Sequence, residues 1–250
     1  MNPILLIRPD GNESDARALA EVGVESVAEP LLEVVPAREP GAARRLAYRL
    51  SEADPQTWLI VTSPRTWRYW RTLVPELDSV LTEALARGLQ VAAVGTATAA
   101  SLPASVDHTV TPPGISADDL LGFLLEQSPG TALLPASARA RRLLPDGLTA
   151  AGWQLQQAAV YDTVPRHGVR LPHPAGLRGV LVRSPSAASA LAALLPQPPG
   201  EFSIFAVGPI TAARCRELGW RPVEIGVTKP SAVADAIARH LRGNGSMLEA

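Results

Sequence analysis

The sequence predicts an α/β protein of two lobes, each a parallel sheet with helices on both faces, interleaved along the chain. Three observations predict it. Short apolar runs alternate with helical patterns throughout, the order that right-handed crossovers between parallel strands produce. Runs such as Val91-Ala92-Ala93-Val94 and Val180-Leu181-Val182 are apolar at every position, as strands covered on both faces are. The chain also nearly repeats itself. Val61-Thr62-Ser63-Pro64 returns as Val182-Arg183-Ser184-Pro185, Val94-Gly95-Thr96-Ala97-Thr98 as Val207-Gly208-Pro209-Ile210-Thr211, and Ile115-Ser116-Ala117 as Pro230-Ser231-Ala232. From 63 to 184, 95 to 208 and 116 to 231 the displacements are 121, 113 and 115 residues. A block of that length met twice is a doubled domain, not a solenoid.

The elements follow in order. Ile4-Leu5-Leu6-Ile7 makes a strand over 4–8, followed by a helix over 12–22 and a strand over 24–29. Leu31 to Pro36, bracketed by Pro30 and Pro36, is an extended linker over 31–36. A helix over 40–52 and a strand over 57–61 lead to Ser63-Pro64, an N-cap and a first-turn proline for a helix over 65–74. A second helix over 78–87 precedes the strand 90–94; Gly95 then opens a helix over 96–103. A strand over 107–110, a helix capped by Ser116 over 116–126, a strand over 131–135, a helix over 139–151 and a strand over 153–159 complete this lobe, 37–160. Tyr161 to Pro165 is a second linker, 161–165, and a Pro- and Gly-bearing loop runs on to Gly176. The other lobe joins 1–30 to 166–250, with strands over 178–183, 203–206 and 222–225. Its helices run over 185–195, 209–218 and 230–241, Ser231 caps the last, and the tail Gly243-Asn244-Gly245-Ser246 frays. Each lobe then holds five strands, and two adjacent linkers form a two-stranded connector.

Bulk properties exclude several functions. A net charge of −1 and a pI of about 6.4 offer no general attraction to nucleic acid or anionic membrane. Cys215 is the single cysteine, so there is no disulfide framework; it reads as a small buried hydrophobe. His108, His167, His173 and His240 lack metal-ligand spacing, and no phosphate-binding loop, dinucleotide turn or nucleophile elbow occurs. No metal and no cofactor is expected. The five tryptophans are scattered and read as filler of core or surface. The N-terminus lacks a basic leader, and no run approaches the roughly 20 apolar residues that cross a bilayer. A soluble, cytoplasmic monomer is expected.

In open parallel sheets ligands bind beyond the carboxyl ends of the strands, and the repeated motifs all fall there. Ser63, Gly95, Thr98, Ser184, Gly208, Thr211 and Ser231 supply free amides, hydroxyls and helix N-termini, which suit anions. Any one of these turns could be ordinary capping; the matched set points to a cleft between lobes. Arg8 after the first strand, and Arg139 after Ser137, offer planar forks for carboxylates. Tyr161, where one lobe gives way to the linker, carries a phenol that could donate a proton or a hydrogen bond into the cleft. A tyrosine merely packing a hinge would read the same.

These residues together resemble the uroporphyrinogen-III synthase family. The likeness runs almost end to end: Leu6-Ile7-Arg8-Pro9, Glu29-Pro30-Leu31 through Val35-Pro36, Thr62-Ser63-Pro64, Val94-Gly95 to Thr98-Ala99, Val160-Tyr161, Ser184-Pro185-Ser186, Val207-Gly208-Pro209 with Thr211-Ala212, and Lys229-Pro230-Ser231. The resemblance implies two flavodoxin-like lobes and closure of hydroxymethylbilane to uroporphyrinogen III, with loss of water and inversion of ring D, without cofactor or metal. It implies Tyr161 as the acid at the leaving hydroxyl. It makes Arg8, Ser63, Gly95, Thr98, Ser137, Arg139, Ser184, Gly208, Thr211, Lys229 and Ser231 the groups that hold a carboxylate-rich substrate, handed on by the preceding bilane-forming enzyme. The competing readings are a non-catalytic two-lobed module closing on a small polyanion, and a short glycosyltransferase lacking a clear nucleotide loop.

Overall fold

The computed structural model describes residues 2–114, 116–172, 176–195 and 202–245; Ile115, His173 and Ser246, which entered the sequence reading, lie outside them. In chain order the first elements are β1 (Ile4–Leu6), α1 (Asn12–Glu21), β2 (Ser26–Ala28), β3 (Leu32–Pro36), α2 (Pro40–Ser51), β4 (Thr57–Val61), α3 (Arg65–Leu73) and α4 (Leu77–Ala86). Then come β5 (Gln90–Ala93), α5 (Thr96–Ala99), α6 (Ala117–Leu125), β6 (Thr131–Ser137), α7 (Leu143–Ala150) and β7 (Gln154–Pro165). The last are β8 (Gly179–Val182), α8 (Pro185–Leu194), β9 (Ser203–Ala206), α9 (Pro209–Glu217), β10 (Pro222–Glu224) and α10 (Pro230–Gly245). The chain divides into two compact units: Met1–Glu33 with Val164–Ala250 (unit 1), and Val34–Thr163 (unit 2). Both boundaries fall inside strands, β3 and β7. Among the described residues no helix is long and apolar enough to cross a membrane.

Unit 1 carries a five-stranded sheet in the order β10-β9-β8-β1-β2, every pair parallel. Its strands alternate faces at single-residue spacing. Leu5, Val180, Val182 and Ile204 pack under α8 and α9, while Ile4, Leu6, Leu181 and Phe205 pack under α1 and α10. Both faces are covered, which is why these short strands read as unbroken apolar runs. Cys215 is fully buried among Ala188, Leu191 and Trp220.

The second sheet has the order β3-β7-β6-β4-β5. Leu59, Val61 and Leu133 face α2, α3 and α4, while Trp58, Ile60 and Leu134 face α6 and α7. The tryptophans of this unit are core residues. Trp70 donates its indole N–H to the Ala43 carbonyl (3.0 Å), Trp67 donates to Asp78 (2.9 Å), and Trp58 meets Trp153 edge to face. β3 runs antiparallel to β7: Arg166 N–H donates to Leu31 C=O and Ala37 N–H to Val160 C=O, so one strand advances as the other retreats.

Four expectations are corrected. The strand expected over 107–110 is reduced to one bridge, Val110 beside Ala92 in β5. Asp107-His108-Thr109-Val110 has one apolar residue and no face to bury, and β3 supplies the fifth strand from the opposite edge. The helix expected over 96–103 is the single turn α5, because Pro103 disfavours helix at the residue before it and the Ser101 hydroxyl bonds back to the Thr98 carbonyl. α7 starts at Leu143, not 139, because β6 runs on to Ser137 and Ala138 N–H donates to the Tyr161 carbonyl. At the end of the chain, α10 continues to Gly245, where fraying was expected.

The doubling is visible in the topology. β8, β9, β1 and β2 of unit 1 correspond to β4, β5, β6 and β7 of unit 2, and Val110 stands where β10 stands. β3 has no counterpart in unit 1.

Candidate functional site

Strand connections leave β4 and β6 in opposite directions. β4 leads through α3 and α4 to β5 on one side, whereas β6 leads through α7 to β7 on the other. The loops beyond β4 and β6 therefore part, and a crevice opens between them. A cavity of about 270 Å³ lies there, lined by Thr62 and Ser63 beyond β4, Ser137, Arg141 and Leu144 around the start of α7, and Tyr161 of β7.

Local structure brings Tyr161 to this cavity. β6 and β7 pair in register up to Ala136 and Ala159; a bulge then sets Ser137 against Tyr161, skipping Val160. Such an extra residue re-aims the side chains that follow it. Val160 stays in the core beside α2 and α3, and Tyr161, only 7% exposed, lines the cavity. Its ring lies 5.8 Å from that of Tyr69, whose hydroxyl donates to the Val34 carbonyl (2.9 Å). Among the described residues the Tyr161 hydroxyl makes no hydrogen bond. Tyr161 sits within β7, not beyond its end as expected, since that strand continues to Pro165.

Of the residues singled out in unit 2, Ser63, Ser137 and Tyr161 meet at this cavity. Ser63 Oγ accepts from Arg65 N–H (3.3 Å) and Ser137 Oγ from Arg139 N–H (3.1 Å). Pro64, expected at the first helical position, occupies the cap of α3, so Ser63 stands one residue further out. Arg139 is not at the cavity wall; its guanidinium is engaged by Asp162 at 2.9 Å. Gly95 and Thr98 lie beyond β5, one strand away. Gly95 caps α5 with φ 73°, a left-handed turn that favours glycine. Thr98 is buried. Sequence reasoning missed Arg141 and Thr62; the arginine run Arg139, Arg141, Arg142 was the available signal.

At the corresponding place in unit 1 an ion pair joins α1, which follows β1, to the residue that follows β8. Asp15 of α1, its carboxylate 1% exposed, is gripped by both Nε (2.9 Å) and Nη2 (2.6 Å) of Arg183, which follows β8. Arg183 also donates to the Thr228 carbonyl (2.9 Å), tying the segments beyond β8 and β10 to α1. Arg8 reaches Asp15 more loosely, 3.5 Å, with its side chain 31% exposed. Its backbone exchanges two bonds with the Asn12 side chain. Ser184 caps α8, accepting from Ala187 N–H at 3.2 Å. Gly208 caps α9, and Thr211 is buried within that helix. Lys229 precedes α10 and is exposed. Ser231 lies inside the first turn and does not cap, because the helix already begins at Pro230. Arg8 and Ser184 thus flank one crevice, while Gly208, Thr211, Lys229 and Ser231 belong to the neighbouring loops beyond β9 and β10.

Among the described residues no three His, Cys, Asp or Glu side chains are grouped as metal ligands. The chemistry on offer is hydroxyls, backbone amides, one phenol and arginines at the open ends of parallel strands.

Fold and site define a duplicated α/β protein with a small-ligand crevice at a topological switch point. The chain belongs to the uroporphyrinogen-III synthase HemD family, whose sequence model matches residues 13–232. Two crystal structures show the same fold over nearly the whole length. A mutant uroporphyrinogen III synthase from the extremely thermophilic bacterium Thermus thermophilus shares 17% identity at a TM-score of 0.63, covering 97% of this chain and 99% of that one. The uroporphyrinogen-III synthetase from Helicobacter pylori shares 18% identity at a TM-score of 0.64, covering 97% and 100%. No curated protein matches the sequence significantly.

Proposed function

We propose that the chain closes hydroxymethylbilane to uroporphyrinogen III, acting as a cyclising lyase in tetrapyrrole biosynthesis. Its membership of the HemD family over residues 13–232 carries this reading. The unit 2 cavity, lined by a phenol, small hydroxyls and an arginine, supports it.

The reaction asks little of side chains. Acid assistance expels the hydroxyl of the terminal hydroxymethyl group as water, leaving an electrophilic azafulvene. The substituted α-carbon of ring D attacks it and gives a spiro-pyrrolenine, which fragments and recloses with ring D reversed. Without the enzyme the free α-carbon closes instead and isomer I forms. Catalysis is therefore positioning, together with shielding of a reactive cation from water. In this reading Tyr161 assists departure of the hydroxyl, supported by its phenol at the wall of a hollow whose other lining is apolar residues, small hydroxyls and Arg141. Ser63 and Ser137 beside it, and Arg8 and Ser184 in unit 1, hold carboxylates. Thr98 and Thr211 have buried side chains, so their turns contribute through the amides near Gly95 and Gly208, with Arg139, Lys229 and Ser231 at the margins. The enzyme works in the cytoplasm and takes the bilane from the enzyme that forms it, since free bilane closes unaided to the wrong isomer.

The test is to supply hydroxymethylbilane and separate the isomers by chromatography. Isomer III well above the blank is expected; isomer I alone, at the rate of an enzyme-free control, overturns the reading.

A further inference from the structure

We propose that Arg141 is the residue of the unit 2 cavity that holds a substrate carboxylate, and so sets affinity for a pyrrole bearing acidic arms. The proposal rests on the functional reading above and adds a residue to it.

Three arginines stand within four positions beyond β6, and two are already engaged. Arg139 is paired with Asp162 at 2.9 Å. Arg142 is held by Asp146 through two bonds, 2.9 and 3.3 Å, and that carboxylate raises its pKa further above the ordinary arginine value. Arg141 between them has, among the described residues, no ion pair and no side-chain hydrogen bond. Its charge is the one this loop leaves unneutralised.

Its position gives that charge a use. Arg141 lines the cavity of about 270 Å³ and also a neighbouring one of about 580 Å³, and the two share Ala140, Arg141 and Pro145. The first is lined by apolar residues, Leu134, Ala136 and Leu144 among them, and by the small hydroxyls of Thr62, Ser63 and Ser137. The second is wetter, with Thr149 and Gln157 on its wall. Whole drug-sized ligands fill about 300–1,000 Å³, so the first hollow takes one ring and not a four-ring chain. A flat pyrrole suits the apolar lining, and a carboxylate arm leaving it toward the shared wall meets Arg141. A planar guanidinium binds a carboxylate through two parallel bonds, stronger than neutral ones. Arg141 holds an arm that takes no part in the bonds made or broken, so the contact is kept from ground to transition state and raises affinity without raising kcat.

The experiment compares Arg141→Ala, Arg141→Lys and wild type, with Arg71→Ala as control; Arg71 pairs with Asp78 on the surface of α3, away from both cavities. Steady-state kinetics with hydroxymethylbilane give KM and kcat. Quenching of tryptophan fluorescence by uroporphyrin, an octacarboxylate porphyrin, gives affinity without turnover. Arg141→Ala is expected to raise KM and weaken uroporphyrin binding by about tenfold or more, the loss of one charge-assisted contact, with kcat kept. Arg141→Lys recovers part of this, as a point charge without the fork, and Arg71→Ala matches wild type. Failure of wild type to form isomer III defeats the functional reading, yet the titration still reads Arg141. Equal uroporphyrin affinity in wild type and Arg141→Ala overturns the proposal, as does no binding by either or a fall in kcat with KM unchanged.

Discussion

Tyr161 shows at the residue scale what sequence could and could not deliver. Its position beside the end of an apolar strand was legible; that it sits within the strand and reaches the cavity through a bulge was not, because a bulge is a register event between β6 and β7. Tyr161→Phe is expected to lower kcat by about 10²-fold without abolishing isomer III, since water can partly replace a positioned acid. Stopped assays with separated isomers measure it, and unchanged kcat removes the phenol from the mechanism. Arg183 was invisible as a functional group, because its partner Asp15 lies 168 residues away in sequence. Asp15→Ala leaves a guanidinium only 13% exposed without its counter-ion, and such a loss costs about 3–5 kcal/mol. Urea unfolding followed by circular dichroism reads this as a lower midpoint. Burial pushes the Cys215 thiol above its ordinary pKa, so less thiolate is present at any working pH. Native protein is expected to resist an aromatic disulfide reagent at pH 8, and one thiol per chain to react in guanidinium. Rapid native labelling contradicts this burial.

Elements were read well wherever apolar periodicity was strong and poorly where an edge was involved. β4, buried at every position, and α2, with Ala43, Leu46, Ala47 and Leu50 on one face, were plain from the sequence. β3 read as a linker because Pro30 and Pro36 bracket it, yet prolines are tolerated on an edge strand and β3 is one. The turns carry more than caps. Ser116 and Asp119 form a reciprocal capping box at α6, the side chain of each accepting from the backbone N–H of the other. Ser116→Ala is expected to cost about 1 kcal/mol, measured by chemical denaturation, with activity kept because Ser116 is not at the cavity wall. Gly179 marks a close approach: a Cβ there would lie 2.6 Å from the Phe205 ring and 2.7 Å from the Ser203 carbonyl. Gly179→Ala therefore forces β8 and β9 apart, at a cost of about 1–3 kcal/mol.

At the scale of the whole molecule the duplication was the strongest sequence signal, and it hid a difference. Matching motifs suggested that the two halves contribute turns of one kind to a common cleft. In unit 2 the crevice between β4 and β6 stays open and holds Ser63, Ser137, Arg141 and Tyr161. In unit 1 the corresponding strand ends carry the buried Asp15–Arg183 pair, which among the described residues has no counterpart in the unit 2 cavity wall. Short repeats report shared ancestry of backbone turns, whereas the side chains that meet at those turns come from distant segments, as Asp15 and Arg183 do, and no local pattern encodes them.

The claim on which the account turns is that the substrate is gripped at the strand ends of unit 2. Amide hydrogen exchange read by mass spectrometry, with and without saturating uroporphyrin, tests it most directly. Slowed exchange over 62–66 and 137–145 is predicted. Identical exchange there, in a protein that still makes isomer III, contradicts the account.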